Sequence, residues 1–300
     1  MKLLITGGFG LIGSRLLEIW GNKYDITVLD RTDSTGTFKH VRFLEVDIIN
    51  QEMVKKVVKE EKPDFLLHLA AFTDVEKAEV ERELCWDLNV NATSYLATSA
   101  QEVGCQVVYL STGFVFEGSK EGYREDDSEG PVNYYGLTKL EGERALRKIL
   151  PQACVLRINY PYRTKWEKKS DTVRWMVPKL LNGEEISLVD DQFISPTFID
   201  DVAEVLDKVF ENKTSGVYHV APDECLSFFE IGQKLAHILG VDTKLVKPAK
   251  LEELLLKLGK KAAQPRQSCL VSTKIEQEFG VKMTSIQDGL QKVKESYEEH

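Results

Sequence analysis

The sequence predicts a doubly wound α/β fold, a parallel sheet covered by helices on both faces, joined to a smaller, mostly helical C-terminal part. Three observations predict it. Short apolar runs alternate with helix-patterned segments through the first 160 residues. Those runs are continuous rather than alternating, as expected of strands buried on both faces. A glycine-rich turn separates the first run from the first helical pattern, where such folds place phosphates.

"KLLIT" (2–6) is a short apolar run that ends at glycines, and "LIGSRLLEIW" (11–20) has helical spacing. "DITVLD" (25–30) is rich in β-branched residues and ends in an acid; "VRFLEVD" (41–47) reads as a further strand. "DFLLHLA" (64–70), "CQVVYLST" (105–112) and "ACVLRI" (153–158) complete the series, with helical patterns at 51–60, 85–102 and 134–149. Beyond residue 160 the rhythm changes. Segment 171–182 looks helical, "ISLVD" (186–190) and "GVYHV" (216–220) read as strands around a helix near 199–210, and the last eighty residues are mostly helical. The expected division is a dinucleotide-binding part, 1–160, and a substrate-binding part, 161–300, with returns to the first near 186–220. "EGSKEGYREDDSEGP" (117–131) is a charged surface loop, and Leu251, Leu254, Leu255 and Leu258 form an apolar helix face read as core packing.

The net charge of -9, with no long Lys/Arg cluster, argues against nucleic acid as a partner and for a small cofactor or metabolite. No apolar run approaches the ~18 residues of a membrane helix. "MKLLITGG" reads as a strand rather than a signal peptide, so a cytoplasmic location and no membrane association are expected. Cys85, Cys105, Cys154, Cys225 and Cys269 are scattered and odd in number, which predicts a reducing compartment without structural disulfides. His40, His68, His219, His237 and His300 show no metal-ligand spacing, and no metal is expected.

"TGGFGLIG" supplies Gly7, Gly10 and Gly13 between a strand and a helix, with Phe9, Leu11 and Ile12 in the same turn. The backbone can turn tightly there and the helix N-terminus faces a pyrophosphate. Asp30 ends the next strand and can accept from both ribose hydroxyls of NAD. Its charge would repel a 2′-phosphate, which Arg31 could offset. NAD(H) or NADP(H) is therefore the expected cofactor, with a tilt toward NAD(H).

"NYYGLTK" (133–139) places two tyrosines before a lysine. Residues four apart share a helix face, so Tyr135 and Lys139 point the same way, while Tyr134 is rotated by about 100°. A nearby ammonium is expected to lower a phenol's pKa from its usual ~10. The pair can then exchange a proton with a carbonyl or alcohol. Ser111 and Thr112 end the fifth strand, so a hydroxyl can face the phenol. The expected set is Thr112, Tyr135 and Lys139, with Tyr134 a structural or substrate-side residue.

On these motifs the chain resembles the extended short-chain dehydrogenases/reductases, with a Rossmann sheet, and among them the dTDP-4-dehydrorhamnose reductases. "HLAAFTDVEKAE" (68–79) is similar to that family's "NAAAxTxVDxAE", "STGFVFEG" (111–118) to "STDYVFDG", "PVNYYGLTKLEGE" (131–143) to "PLNxYGxTKxxGE", and "DQFISPT" (191–197) to Asp-Gln-x-x-x-Pro-Thr. The resemblance covers essentially the whole chain. It implies an NAD(P)H-dependent reductase of a nucleotide-linked 4-keto sugar, with Thr112, Tyr135 and Lys139 catalytic. It further implies Asp47 and Ile48 by the adenine, Leu69, Ala70, Ala71 and Thr73 along the cofactor channel, the superfamily asparagine at Asn89, and Gln192 on the substrate side. Departures also fall on the substrate side: Gly113 and Phe114 replace Asp-Tyr, Tyr160 stands where a tryptophan is frequent, and Gln264 replaces an arginine. Alternatives are a sugar-nucleotide epimerase or dehydratase of the same superfamily, or a dinucleotide-binding regulatory subunit like the methionine adenosyltransferase β subunit. A homodimer is an open alternative.

Overall fold

The computed structural model describes residues 1–298. His300, one of the five histidines, lies outside the described residues. Strands β1 (Lys2–Thr6), β2 (Asp25–Asp30), β3 (Arg42–Glu45), β4 (Phe65–His68), β5 (Gln106–Thr112) and β6 (Cys154–Ile158) alternate with helices α1 (Leu11–Trp20), α2 (Gln51–Glu61), α3 (Val75–Ala78), α4 (Arg82–Trp86), α5 (Ala92–Val103) and α6 (Tyr134–Ile149). After α7 (Met176–Leu181), β7 (Ile186–Val189), β8 (Phe193–Ile194) and α8 (Ile199–Asn212), β9 (Gly216–Val220) returns to the first sheet. Its seven strands run in the order β3-β2-β1-β4-β5-β6-β9, and every pairing is parallel. The order reverses at β1, so β1 and β4 flank the crevice where doubly wound sheets bind ligands.

Two apolar layers cover the sheet. Leu3, Ile5, Leu16, Leu17, Val205 and Leu206 pack on one face; Leu4, Val54, Val58, Leu66, Leu96 and Val107 pack on the other. Each fully buried side chain of this kind contributes ~1.5–3 kcal/mol, which is why the strands read as unbroken apolar runs.

The C-terminal part adds β10 (Leu226–Ser227), α9 (Phe228–Leu239), β11 (Val246–Ala249), α10 (Leu251–Lys257), α11 (Thr273–Phe279) and α12 (Ile286–Glu298). A third apolar cluster joins Val177, Leu180, Phe198, Ile231, Leu235 and Leu290. The strand expected near 186–190 does not join the main sheet; β7 pairs in parallel with β11. The helix expected over 171–182 is confined to Met176–Leu181. Asp171 accepts from the amides of Val173 and Arg174, closing a turn that delays the helix. The helix expected over 85–102 is interrupted by a π-helical turn at Asp87–Asn91. The leucine face at 250–261 is less buried than expected: Leu251 is buried, whereas Leu258 is exposed.

The cysteine expectation is corrected. Cys225 and Cys269 form a disulfide, with Cα atoms 5.6 Å apart. β10 pairs with β8, and the amides and carbonyls around Phe193 also bond Arg266 and Ser268. The two cysteines thereby flank one short strand although 44 residues separate them. Cys85, Cys105 and Cys154 are free and buried. No helix among the described residues is long and apolar enough to cross a membrane.

His68 and His219 are almost fully enclosed, at 1% and 0% exposure. His68 uses both ring nitrogens on hydroxyls, Thr6 at 2.7 Å and Thr93 at 3.1 Å. Desolvation, assisted by the charges of Lys139 and Arg157 respectively, pushes both imidazoles down to about 3. The unfolded chain takes up these protons from about pH 6.5 downward, whereas the folded chain refuses them until about pH 3. Stability should therefore fall as pH is lowered through that window, approaching ~1.4 kcal/mol per pH unit for each histidine. Urea midpoints between pH 7 and pH 5 test this, and His68→Gln should flatten the slope.

Candidate active site

The C-terminal ends of β1, β2, β4, β5 and β6 open into one cleft of about 700 Å³, within the size range of small-molecule and cofactor sites. The glycine turn forms its floor. Gly7 has φ +67°, and a Cβ there would lie 2.8 Å from the Ala70 backbone. A Cβ on Gly13 would lie 2.5 Å from the Gly8 carbonyl oxygen, so the start of α1 packs on the glycine turn only because none is present. Gly10 caps α1 without any side-chain acceptor, and the first turn carries no acid. The amides at this helix start are thus left to a bound anion. A dinucleotide pyrophosphate fits that donor set.

Phe9, Gly10, Leu11, Ile12 and Gly13 line this end together with Asp30, Arg31, Asp47, Ile48, Leu69, Ala70, Ala71 and Thr73. The Asp30 carboxylate accepts from the amides of Phe9 (3.3 Å) and Arg31 (2.8 Å), which fixes it at the β2 end. Thr32, Ser34, Lys169, Asp171 and Thr172 also line the cleft. No motif marked the last three. They arrive on the segment after β6, which Asp171 organises by accepting from the Arg163 amide and the Arg174 side chain.

Thr112, Tyr135 and Lys139 meet at the other end, with Phe114 and Tyr160 beside them. Asn133 caps α6 by accepting from the Gly136 amide at 2.8 Å, so Tyr135 lies in the first helical turn. The Tyr135 ring meets Phe114 edge-on at 5.7 Å. Burial pushes the phenol up to about 12, and the Thr112 hydroxyl acts in the opposite direction. The lowering expected from Lys139 is not what acts on Tyr135 here. The Lys139 ammonium donates to the Leu110 carbonyl at 2.8 Å and lies 3.9 Å over the Tyr109 ring. Desolvation draws Lys139 down to about 7, against the pull of Glu143. Tyr134 faces away, its ring 4.8 Å beneath the Arg82 guanidinium.

Three expected site residues stand behind the cleft wall. Asn89 is 1% exposed; it accepts from the Phe72 amide (2.8 Å) and donates to the Phe72 carbonyl (3.1 Å) and Thr138 (2.9 Å). It clamps the segment carrying Ala71 and Thr73 to α6. Gly113 is packed near the Ser268 carbonyl. Gln192 is buried and donates to the Pro265 carbonyl (2.9 Å) and toward the Tyr160 hydroxyl (3.4 Å), reaching the cleft only through Tyr160.

A family model described as RmlD substrate binding domain matches residues 1–299. The chain is 30% identical to a dTDP-4-dehydrorhamnose reductase of Aggregatibacter actinomycetemcomitans, covering 98% of both chains. The chain belongs to the RmlD family of dTDP-4-dehydrorhamnose reductases. A Bacillus anthracis dTDP-4-dehydrorhamnose reductase solved in complex with NADP superposes with a TM-score of 0.86 at 30% identity, over 100% of this chain and 99% of that one. The methionine adenosyltransferase 2 subunit beta of Xenopus laevis is also 30% identical, over 82% of this chain and 75% of its own length.

Phe114 and Tyr160, two of the departures that the resemblance implies, stand side by side in the cleft. Phe114 lies 5.6 Å from Tyr160, which in turn meets Phe228 at 5.2 Å. Tyr160 has φ +39°, a left-handed conformation that costs a non-glycine residue ~1–3 kcal/mol. Gln264 lies between Ala263 and Pro265, whose carbonyls accept from Asn133 and Gln192.

Asn89→Ala should leave the half-buried Phe72 amide and the buried Thr138 hydroxyl without this partner and lower stability by ~1–3 kcal/mol. Thr138→Ala, which removes one of its partners, should cost less. Chemical denaturation of both variants checks the order.

Proposed function

We propose that this chain is an NAD(P)H-dependent reductase of a nucleotide-linked 4-keto sugar, with Thr112, Tyr135 and Lys139 as its catalytic residues. The observation that carries this reading is their convergence at one end of a cleft whose other end is the uncapped glycine turn. The bound nicotinamide would supply the hydride. The residues of the chain would orient the sugar and deliver the proton. Tyr135 is neutral at physiological pH, since its phenol sits at about 12, so it carries the proton that the carbonyl oxygen needs. Thr112 Oγ accepts from the Phe114 amide at 3.2 Å, which leaves its own O–H to donate to the phenol or the substrate oxygen. Lys139 donates one hydrogen to Leu110 and keeps two for the cofactor ribose and the developing phenolate. Phe114, Tyr160 and, through Tyr160, Gln192 would face the sugar.

A regulatory role, as in the methionine adenosyltransferase subunit, would use the same dinucleotide cleft without turnover. The complete Thr–Tyr–Lys set favours the reductase. Turnover of a 4-keto sugar nucleotide, followed as NADH or NADPH absorbance, separates the two readings.

Tyr135→Phe should lower turnover by ~10²–10⁴, the usual contribution of a general acid, while Tyr134→Phe retains most of it. Equal losses would show that the proton donor is misassigned. For the cofactor, wild type should accept both NADH and NADPH, since Asp30 opposes a 2′-phosphate and Arg31 stands beside it. Asp30→Ala should shift preference toward NADPH, as fluorescence titration of both cofactors would show.

A further inference from the structure

Behind the Tyr–Lys pair lies a buried charge cluster that the mechanism above does not use. Glu143 follows Lys139 by four residues and Tyr135 by eight, which puts all three along one side of α6. The residue is 2% exposed, as enclosed as Lys139. The carboxylate accepts from Arg157 on β6, from Nε at 3.0 Å and Nη2 at 2.7 Å, and from the Ser111 hydroxyl. Arg157 is itself 1% exposed and reaches Glu129 at 3.2 Å. Ser111 lines the cleft and directly precedes Thr112. An isolated carboxylate would be costly at such a depth, and the two-nitrogen contact with Arg157 offsets that cost.

We infer that Glu143 is a positioning residue for the Tyr135–Lys139 pair: anchored by Arg157, it fixes Ser111 at the cleft and holds a negative charge one helical turn behind Lys139. This rests on the reductase reading above. The groups facing Lys139 from the elements packed around it are Tyr135 and Glu143 on α6, Cys85 on α4, His68 on β4 and Tyr109 on β5. His68 is held neutral, and Cys85 is a thiol pushed up by burial. Glu143 is therefore the full negative charge of the group, and the one that favours the ammonium form of Lys139 against desolvation. Its direction of action is definite. Without it Lys139 loses its proton at a lower pH, and an enzyme that needs the ammonium fails earlier as pH rises.

The test is Glu143→Gln, with Glu143→Asp as the conservative rescue. The Glu143→Gln/Arg157→Met double variant guards against misfolding, because it removes the buried pair as a unit. Two readouts are taken. Lys139 is titrated directly by NMR in protein carrying ¹³C-labelled lysine, its signal assigned by loss in Lys139→Met. The pH profile of kcat is measured alongside KM. In Glu143→Gln the Lys139 titration should move down by about one pH unit, and in the double variant, which also removes the Arg157 positive charge, by a smaller amount in the same direction. The high-pH limb of kcat should move with it, KM for the sugar nucleotide should hold, and Glu143→Asp should restore most of the shift. A wild-type Lys139 titration in a folded variant overturns the proposal. So does a rate loss that is equal at every pH, which is what a purely structural role gives. If wild type turns over no sugar nucleotide, the reductase reading fails instead, and the Lys139 titration still decides whether Glu143 sets its charge.

Discussion

A parallel sheet leaves the strands of this protein little choice about where they end. Each of the seven runs in the same direction, so the C-terminal ends of β1, β2, β4, β5 and β6 emerge at one edge. Both faces must be covered to hide the strands, and the covering helices start from that same edge. The glycine turn, the acid at the end of β2, the hydroxyl at the end of β5 and the first turn of α6 are therefore neighbours by topology before any side chain is considered. The crevice left at that edge is where chemistry can be placed.

Topology alone would locate the functional groups only to within several ångströms. Buried polar contacts complete the placement. Asn133 fixes the start of α6, Asn89 ties that helix to the segment after β4, and the Arg157–Glu143–Ser111 cluster ties it to the strand carrying Thr112. Each contact joins groups that burial would otherwise penalise, so breaking one costs more than making it gains. That asymmetry favours a single arrangement of the cleft wall.

The far side of the cleft is built differently. The segment 263–270 lies across the end of β5, held by the Pro265 and Ser268 carbonyls, by short strand-like contacts to Phe193, and by the Cys225–Cys269 bridge. Beside it Phe114 and Tyr160 line the cleft, and Phe228 packs behind Tyr160. This wall and the Thr112–Tyr135 end are physically joined: Phe114 packs edge-on against Tyr135 and its amide donates to Thr112, while Asn133 at the start of α6 donates to the Ala263 carbonyl.

The sequence by itself determined the doubly wound sheet, the glycine turn and the placing of Tyr135, rather than Tyr134, in the same cleft as Lys139. Each is written in local spacing, such as a run of apolar residues or a four-residue helical interval, which the backbone converts directly into geometry. Only the tertiary structure decided the rest. Nothing local showed that Asn89 and Gln192 would stand behind the wall, that β7 would pair with β11, or that Cys225 would reach Cys269 across 44 residues. The same holds for the phenol. A lysine one turn away suggested a lowered pKa, yet burial raises it, because desolvation depends on every element packed around Tyr135 and Lys139 turns its charge toward Leu110 and Tyr109. Spacing along a helix says which side chains share a face; how much water that face retains is settled by segments distant in the chain.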